Sequence, residues 1–393
     1  MAAIKYWLWL TQLQGLKLQS RYALLDHYGD PEEVYFADLD QIEARQIIPS
    51  GQLSCLENHS LERANEILAQ CDRLGIHILT IQDATYPARL RNIYDPPCVL
   101  YVKGRLPMVD EQLCVAGVGT RSATPYGEAC AEKLGFGLAS GGAVVVSGLA
   151  KGIDTAIIRG ALRADGITIG VLGNGIDVVY PRENRKLYED VAAKGALVSE
   201  YPPKTQPKPM HFPVRNRILS GLCQAALVVE APEKSGALIT AKTALEQGRD
   251  VFAVPGPIDV ESSRGCNHLI RDGAGLVSDG WDILREYTPQ YPQLKPVQSL
   301  EEPVVLGYEE RQMEAVKPTG ELLPMKQAKE KLTDDQITIL QTMGDSPVVV
   351  DEVTERSGLP TRRVLSALTL LELDGYIRLD AGNFYCRLVS VVE

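Results

Sequence analysis

The residues best able to do chemistry are glycines and basic side chains that recur together at the ends of short apolar runs. One run ends in Gly117-Val118-Gly119-Thr120-Arg121, and the next in Ser147-Gly148-Leu149-Ala150-Lys151-Gly152-Ile153-Asp154. A third ends in Gly173-Asn174-Gly175-Ile176-Asp177. A fourth leads into Pro202-Pro203-Lys204, then Lys208 and Phe212-Pro213-Val214-Arg215-Asn216-Arg217, and a fifth ends at Glu230 ahead of Ser235-Gly236. Glycine lets the backbone approach a ligand closely, and N–H groups at a following helix start favour anions. Arg121, Lys151, Lys204, Arg215 and Arg217 add full positive charges, so the chemistry indicated is the binding of phosphate.

Other chemistries lack parts. The stretch from Gly173 to Val178 has no third Gly or Ala of a dinucleotide fingerprint, and it follows the third strand of its series rather than the first. The run from Gly236 to Thr243 imitates a P-loop, but Ala241 stands where the second glycine belongs and the segment reads as mid-helix. No GxSxG occurs, and His77, His211 and His268 are dispersed, so no nucleophile–base order emerges. Asp154 reads as a helix cap and Glu230 as a strand-end carboxylate paired with a neighbouring arginine. The eight cysteines and five histidines form no close ligand pairs, which argues against metal; buried single thiols are expected. No cofactor is expected either.

These loops need a frame that brings them to one edge. The segments 112–119, 143–148, 168–173, 196–201, 225–231, 250–256 and 275–278 read as short apolar strands, with helical stretches between them. Continuous apolar strands with helical crossovers predict a Rossmann-like, doubly wound parallel sheet over 73–288, an α/β class with ligands at the carboxyl ends of the strands. Residues 1–72 read as a helical domain of SAM-like or helix-hairpin-helix type. Residues 289–330, with six prolines and seven acids, read as a linker. Residues 331–393 read as three helices and a hairpin turning at Ala381-Gly382-Asn383, a winged helix. Its third helix carries Arg362 and Arg363, but the unit is net acidic, so DNA contact and protein contact both stay open.

The chain has 45% hydrophobic and 23% charged residues, as in soluble globular proteins, and no apolar run long enough to span a membrane. The apolar run Tyr6 to Leu10 is too short for a signal peptide, so a cytoplasmic location is expected. A net charge of −11 argues against nucleic acid until its distribution is read: from Arg121 to Arg217 there are 13 basic and 9 acidic residues.

Taken in order, YPARLRNIYDPPCVLYVKG, VVVSGLAKGIDTA, TIGVLGNGIDVVYPREN, ALVSEYPP, FPVRNRILSGL, LVVEAPEKSGALITAKTALEQGRDVFAVPG and GCNHLIRDGA resemble the consecutive motifs of the DNA processing protein A family (DprA, also called Smf). The resemblance implies a SAM-like domain, an extended Rossmann-like domain and a winged helix. It also implies a homodimer that binds and protects incoming single-stranded DNA in natural transformation and helps load the recombinase RecA. Carried over, the DNA site comprises Gly119, Thr120 and Arg121, then Ser147, Gly148, Lys151 and Gly152, then Lys204, Lys208, Phe212, Arg215, Asn216 and Arg217, with Ser235 and Gly236. Two departures stand out. The family's Gly-Ser-Arg is Gly119-Thr120-Arg121 here, and its histidine after GIDTA is replaced within Ile157-Ile158. A non-catalytic binder is therefore expected. The alternative is a nucleotide-processing enzyme like the phosphoribohydrolases, whose PGGxGT motif and nearby glutamate are not matched by KSGALITA.

Overall fold

The apolar runs become the strands of one nine-stranded sheet in the computed structural model, which describes residues 2–296, 322–344, 348–380 and 384–392. In chain order these are β1 (His77–Thr80), β2 (Val99–Gly104), β3 (Cys114–Val118), β4 (Val144–Ser147), β5 (Thr168–Leu172), β6 (Ala196–Ser199), β7 (Ala225–Val228), β8 (Asp250–Ala253) and β9 (Gly275–Leu276). Their spatial order is β1-β2-β6-β5-β4-β3-β7-β8-β9. Strands β3 to β9 pair in parallel, and β2 alone runs against its neighbours β1 and β6. Strands β3 to β7 are buried along their whole length because helices cover both faces.

The chain steps outward from β3 through β4 and β5 to β6, then returns to place β7 on the other side of β3. The reversal point of the strand order therefore lies between β3 and β7. One face is covered by the helices Pro125–Ser140, Ile153–Arg163 and Arg185–Lys194, the other by His211–Gly221, Gly236–Glu246 and Glu261–Arg271.

Strands β1 and β2 were not among the expected runs. β1 is four residues long with only Thr80 buried, too short to show a period. The N-terminal helices, among them Ala2–Gln12 and Leu18–Tyr28, share a hydrophobic core with the first face of the sheet, where Trp7, Leu10 and Leu24 join Tyr101 and Val115. Residues 289–296, at the start of the expected linker, are packed: Leu294 is buried and the Lys295 N–H donates to the Gly141 carbonyl at 3.2 Å. Most of that linker, 297–321, lies outside the described residues, as does the expected turn Ala381-Gly382-Asn383.

The described residues from 322 onward form a separate compact unit. Helices Asp334–Thr342, Val350–Ser357 and Thr361–Leu373 pack around Ile339, Leu340, Val364 and Leu368, and Val348–Val349, Phe384–Arg387 and Ile377–Asp380 form the sheet of a winged helix. The unit starts earlier than expected: Leu322–Pro324 pairs in parallel with Ser390–Val392 and leads into the helix Met325–Lys331. A Thr333–Gln336 capping box then opens the next helix.

Candidate nucleic-acid interface

Two crevices open at the carboxyl ends of these strands, and they are furnished differently. The reversal point between β3 and β7 is where a doubly wound sheet commonly takes a ligand. Here the Glu230 side chain fills it. Its carboxylate accepts hydrogen bonds from the Thr124 N–H and the Thr124 hydroxyl, both at 2.9 Å, while its backbone carbonyl accepts from the Thr120 N–H at 2.7 Å. Thr124 in turn caps the helix Pro125–Ser140, its Oγ1 accepting from the Gly127 N–H at 3.1 Å. A β-carbon at Gly127 would stand 2.0 Å from Glu230 Oε2, so only glycine lets the carboxylate in. An internal anion thus occupies the helix N-terminus that an anionic ligand would otherwise use. The expected arginine partner of Glu230 is replaced by this threonine, because the loop after β3 folds its amides back over the strand end.

The open crevice lies one step along, over β4 and β5. It is a cavity of about 70 Å³ lined by Arg121, Gly148, Ala150, Lys151, Gly173, Asn174, Tyr180, Pro181, Tyr188, Phe212 and Arg215. Its rim is cationic and aromatic. The exposed Arg121 guanidinium lies over the Phe212 ring at 5.1 Å, and Phe212 lies 5.6 Å from Tyr180 with the rings tilted by 33°. Lys151 is also exposed, and its Nζ pairs with Glu183 at 2.7 Å.

Beneath it lie two buried charged side chains, Arg215 and Asp154, each tied to the backbone. Arg215 donates to the Gly148 carbonyl at 3.0 Å, to the Val171 carbonyl, and through Nε to Asn216 Oδ1 at 3.2 Å. Gly148 is required here: a β-carbon on it would lie 2.3 Å from Arg215 Nη2. Opposite, Asp154 Oδ2 accepts from the Ala150 N–H at 3.4 Å. Burial pushes the Asp154 carboxyl up, and the Arg215 charge opposes that rise. Asp154 was expected to cap its helix, but Gly152 holds the cap position with no side-chain bond, and Asp154 lies inside the first turn and reaches back to the preceding loop.

The remaining expected residues divide between support and surface. The Ser147 hydroxyl donates to the Gly117 carbonyl at 2.7 Å, and Thr120 Oγ1 accepts from the Ser122 N–H at 3.3 Å. The Ile153 N–H donates to the Thr120 carbonyl at 3.3 Å, tying the loops around Gly119 and Gly152 together. Lys204 and Lys208 are exposed on the segment between β6 and the helix His211–Gly221, and neither lines the cavity. Ser235 caps the helix Gly236–Glu246, accepting from the Ala237 N–H at 3.2 Å, beside β7 rather than at the cavity. Arg217 is a correction to the expected shared edge. Its Nη2 binds both Glu200 oxygens, at 2.7 and 2.6 Å, and it lines a different cavity on the other side of its helix.

Tyr180, Pro181 and Tyr188 line the pocket but were not among the expected residues, and Asn174 had been placed only as part of its glycine loop. The signal was present in the run DVVYPREN, where aromatic and proline residues follow a glycine loop. The assembled groups can neutralise a phosphate at the rim and stack a flat ring on Phe212 or Tyr180, a combination suited to single-stranded nucleic acid. Among the described residues no group of three or more His, Cys, Asp or Glu side chains is placed to hold a metal ion.

Comparison with known proteins gives matches along most of the chain. Residues 77–288 match the model of the family described as DNA recombination-mediator protein A, and residues 324–383 match the DprA winged helix domain. Protein Smf of Synechocystis is 34% identical over 97% of this chain and 98% of its own length. The DNA processing protein DprA of Bacillus subtilis is 44% identical over 66% of this chain and 87% of its own. Among solved structures, DNA processing protein A from Streptococcus pneumoniae superposes with a TM-score of 0.63 at 38% identity, covering 72% of this chain and 97% of that one. The Helicobacter pylori protein, whose structure was described for its single-stranded DNA binding mode, has a TM-score of 0.50 at 30% identity over 55% of this chain and 97% of its own. With motifs, sheet and winged helix all in that order, the chain belongs to the DNA processing protein A (DprA/Smf) family.

Proposed function

We propose that this protein is a non-catalytic binder of single-stranded DNA that holds the strand at the β4/β5 crevice. The observation that carries the reading is the layer of Arg121 on Phe212 beside Tyr180, set over the buried Arg215. Exposed charge on Arg121 beside the half-buried Phe212 ring and the exposed Tyr180 ring serves phosphate and base together, and every base has a face to stack. Sequence independence follows from that chemistry.

The nucleotide-processing alternative needs a carboxylate free to act and a nucleotide seated at the strand reversal. Glu230 fills that position itself, with both oxygens hydrogen-bonded to Thr124. Asp154, beneath the pocket, is buried and accepts from the loop amide of Ala150. Both carboxylates hold structure, which favours binding over catalysis.

The finer reading includes a homodimer, protection of incoming DNA in natural transformation, and handover to RecA in the cytoplasm. Its support is the family and its description as a recombination mediator. Apolar side chains exposed at and after the last two strands, with Ile258 at 89% and Leu276 at 53%, are of the kind that a second copy covers.

The test is fluorescence anisotropy with a mixed-sequence single strand and its duplex at two salt concentrations. Single-strand preference is expected, with log K falling on log salt at a slope near −3 if about four phosphates are neutralised. Absence of single-strand binding at low salt overturns the reading, and nucleoside monophosphates would then be assayed for hydrolysis.

A further inference from the structure

The pocket over β4 and β5 holds donors that the chain itself leaves without acceptors. Arg215 is 5% exposed, and its Nε and Nη1 are spent on Asn216 and on the Gly148 and Val171 carbonyls. Its Nη2 has no acceptor among the described residues, yet it is not sealed from solvent, which leaves it facing the cavity that Arg215 lines. A buried guanidinium nitrogen open only to a cavity is a donor for whatever enters.

The loop beside it adds to this. Leu149 and Gly152 have positive φ, 53° and 74°, and bend the chain ahead of the helix Ile153–Arg163. The Ala150 N–H is taken by Asp154, but the N–H groups of Lys151 and Gly152 donate to nothing among the described residues. Successive free N–H groups at such a bend, leading into a helix, form a concave anion site. The Lys151 and Arg121 side chains stand over it at the rim.

Size decides what goes in. The cavity is about 70 Å³, whereas one of about 150 Å³ is what holds a benzene ring. A base therefore stays at the mouth, against Phe212 and Tyr180, and a group the size of a phosphate enters. A phosphodiester within a strand brings one charge and two free oxygens, with a sugar on each side to pass the mouth. A terminal monoester brings nearly two charges and three free oxygens, with one sugar to pass. Arg215 Nη2, the two loop N–H groups, Lys151 and Arg121 are enough donors for all three oxygens.

We infer that this pocket seats the terminal phosphate monoester of a DNA strand, with the end base stacked at Phe212. The inference rests on the single-strand reading above and narrows it: strand interiors are held at the rim, strand ends at the rim and the floor together. Free nucleoside monophosphates and inorganic phosphate carry related chemistry, so the test separates them from a strand end.

The experiment follows anisotropy of the full chain with an oligothymidine strand of about eight nucleotides, within the span of a single-strand site. The strand is labelled on an internal base and made with hydroxyl ends, with a 5′-phosphate, with a 3′-phosphate, and with each phosphate capped as its methyl ester. A phosphate on at least one end should tighten binding about tenfold, and the cap should remove most of the gain by taking away one charge and one free oxygen. Arg215→Gln, checked for folding by circular dichroism, should abolish the gain; Lys151→Ala, at the exposed rim, should cut it about threefold. Thymidine monophosphate at millimolar concentration should erase the gain, and inorganic phosphate should erase less of it, having no ring for Phe212. Equal competition by the two overturns the strand-end assignment in favour of a free-anion site. Equal affinity for hydroxyl-ended and phosphate-ended strands overturns the inference and leaves the single-strand reading intact, as does a gain that survives capping or both substitutions. Failure of every strand to bind overturns the single-strand reading itself.

Discussion

The crevice between β3 and β7 and the one over β4 and β5 are built from the same materials at the same sheet edge, yet one is closed and the other open. Each has a strand end, a glycine-containing loop and a helix start. In the first, Glu230 and Thr124 satisfy each other and a glycine at 127 leaves room for the carboxylate. In the second, the buried charges Arg215 and Asp154 bind backbone beneath the surface, and the groups at the rim are left to solvent. A phosphate-binding pattern in the sequence therefore gives the sheet edge, and the neighbouring carboxylate decides which crevice is left open.

The largest effect expected from breaking this arrangement is on stability. Glu230→Ala strands the Thr124 N–H and hydroxyl against the sheet, a loss of about 2–4 kcal/mol by denaturant unfolding. Single-strand affinity of the folded fraction should stay within a factor of about two, since the open crevice does not use Glu230. A stable variant with lost DNA binding would place the ligand in the wrong crevice. Next in size is Phe212→Ala, which removes a stacking surface and should weaken single-strand binding by about 1–3 kcal/mol, read by anisotropy. An unchanged affinity would take Phe212 out of the interface. Arg121→Ala should weaken binding by about fivefold and flatten the salt slope by about 0.7, the increment for one phosphate on a single strand. A loss of affinity with an unchanged slope would mean that Arg121 only supports the Phe212 ring.

How far the sequence showed these differences depended on what each residue needs around it. Strands β3 to β8 were legible because they are fully or almost fully buried and end at glycine loops. Strand β2 is buried over four residues as well, but it runs antiparallel and follows an irregular proline-containing segment, so neither the alternation nor the crossover marked it. The run from Phe212 to Arg217 looked like one basic patch while it was read as a loop. Pro213 falls in the first turn of a helix, where a missing N–H is harmless, and the helical turn sends Arg215 and Arg217 to opposite sides. Glu230 was read by its most frequent partner type; which donor it meets depends on how the loop after β3 folds back, and that is a tertiary fact. Tyr180 and Tyr188 sit on the loop and helix after β5, and their approach to the pocket follows from the path of residues 174–181.

The smallest effect concerns the rim, where the open crevice carries its own competitor. Lys151 and Glu183 are both exposed and paired at 2.7 Å. A strand phosphate at Lys151 has to share the ammonium with this carboxylate or displace it. Glu183→Gln keeps the shape and removes the charge, so single-strand affinity should rise about two- to threefold at low salt, with the gain shrinking as the screening length falls below about 10 Å. The pH dependence separates this from a change in loop structure. Its hydrogen bond to Lys151 holds the Glu183 carboxyl below its usual range, and the same bond holds the Lys151 ammonium above its own. A depressed carboxyl pKa means that the pair is intact above the unfolded carboxylate range and is lost only as pH falls through the lowered value; a raised ammonium pKa keeps it intact through mildly alkaline solution. Across roughly pH 6 to 9 neither member of the pair titrates, so the gain from Glu183→Gln should be constant there. Below the carboxylate range the native protein should approach the affinity of the variant, because protonating Glu183 removes the same charge. A gain that varied within the neutral window would point to a different group at the rim and would remove Lys151 from the phosphate path.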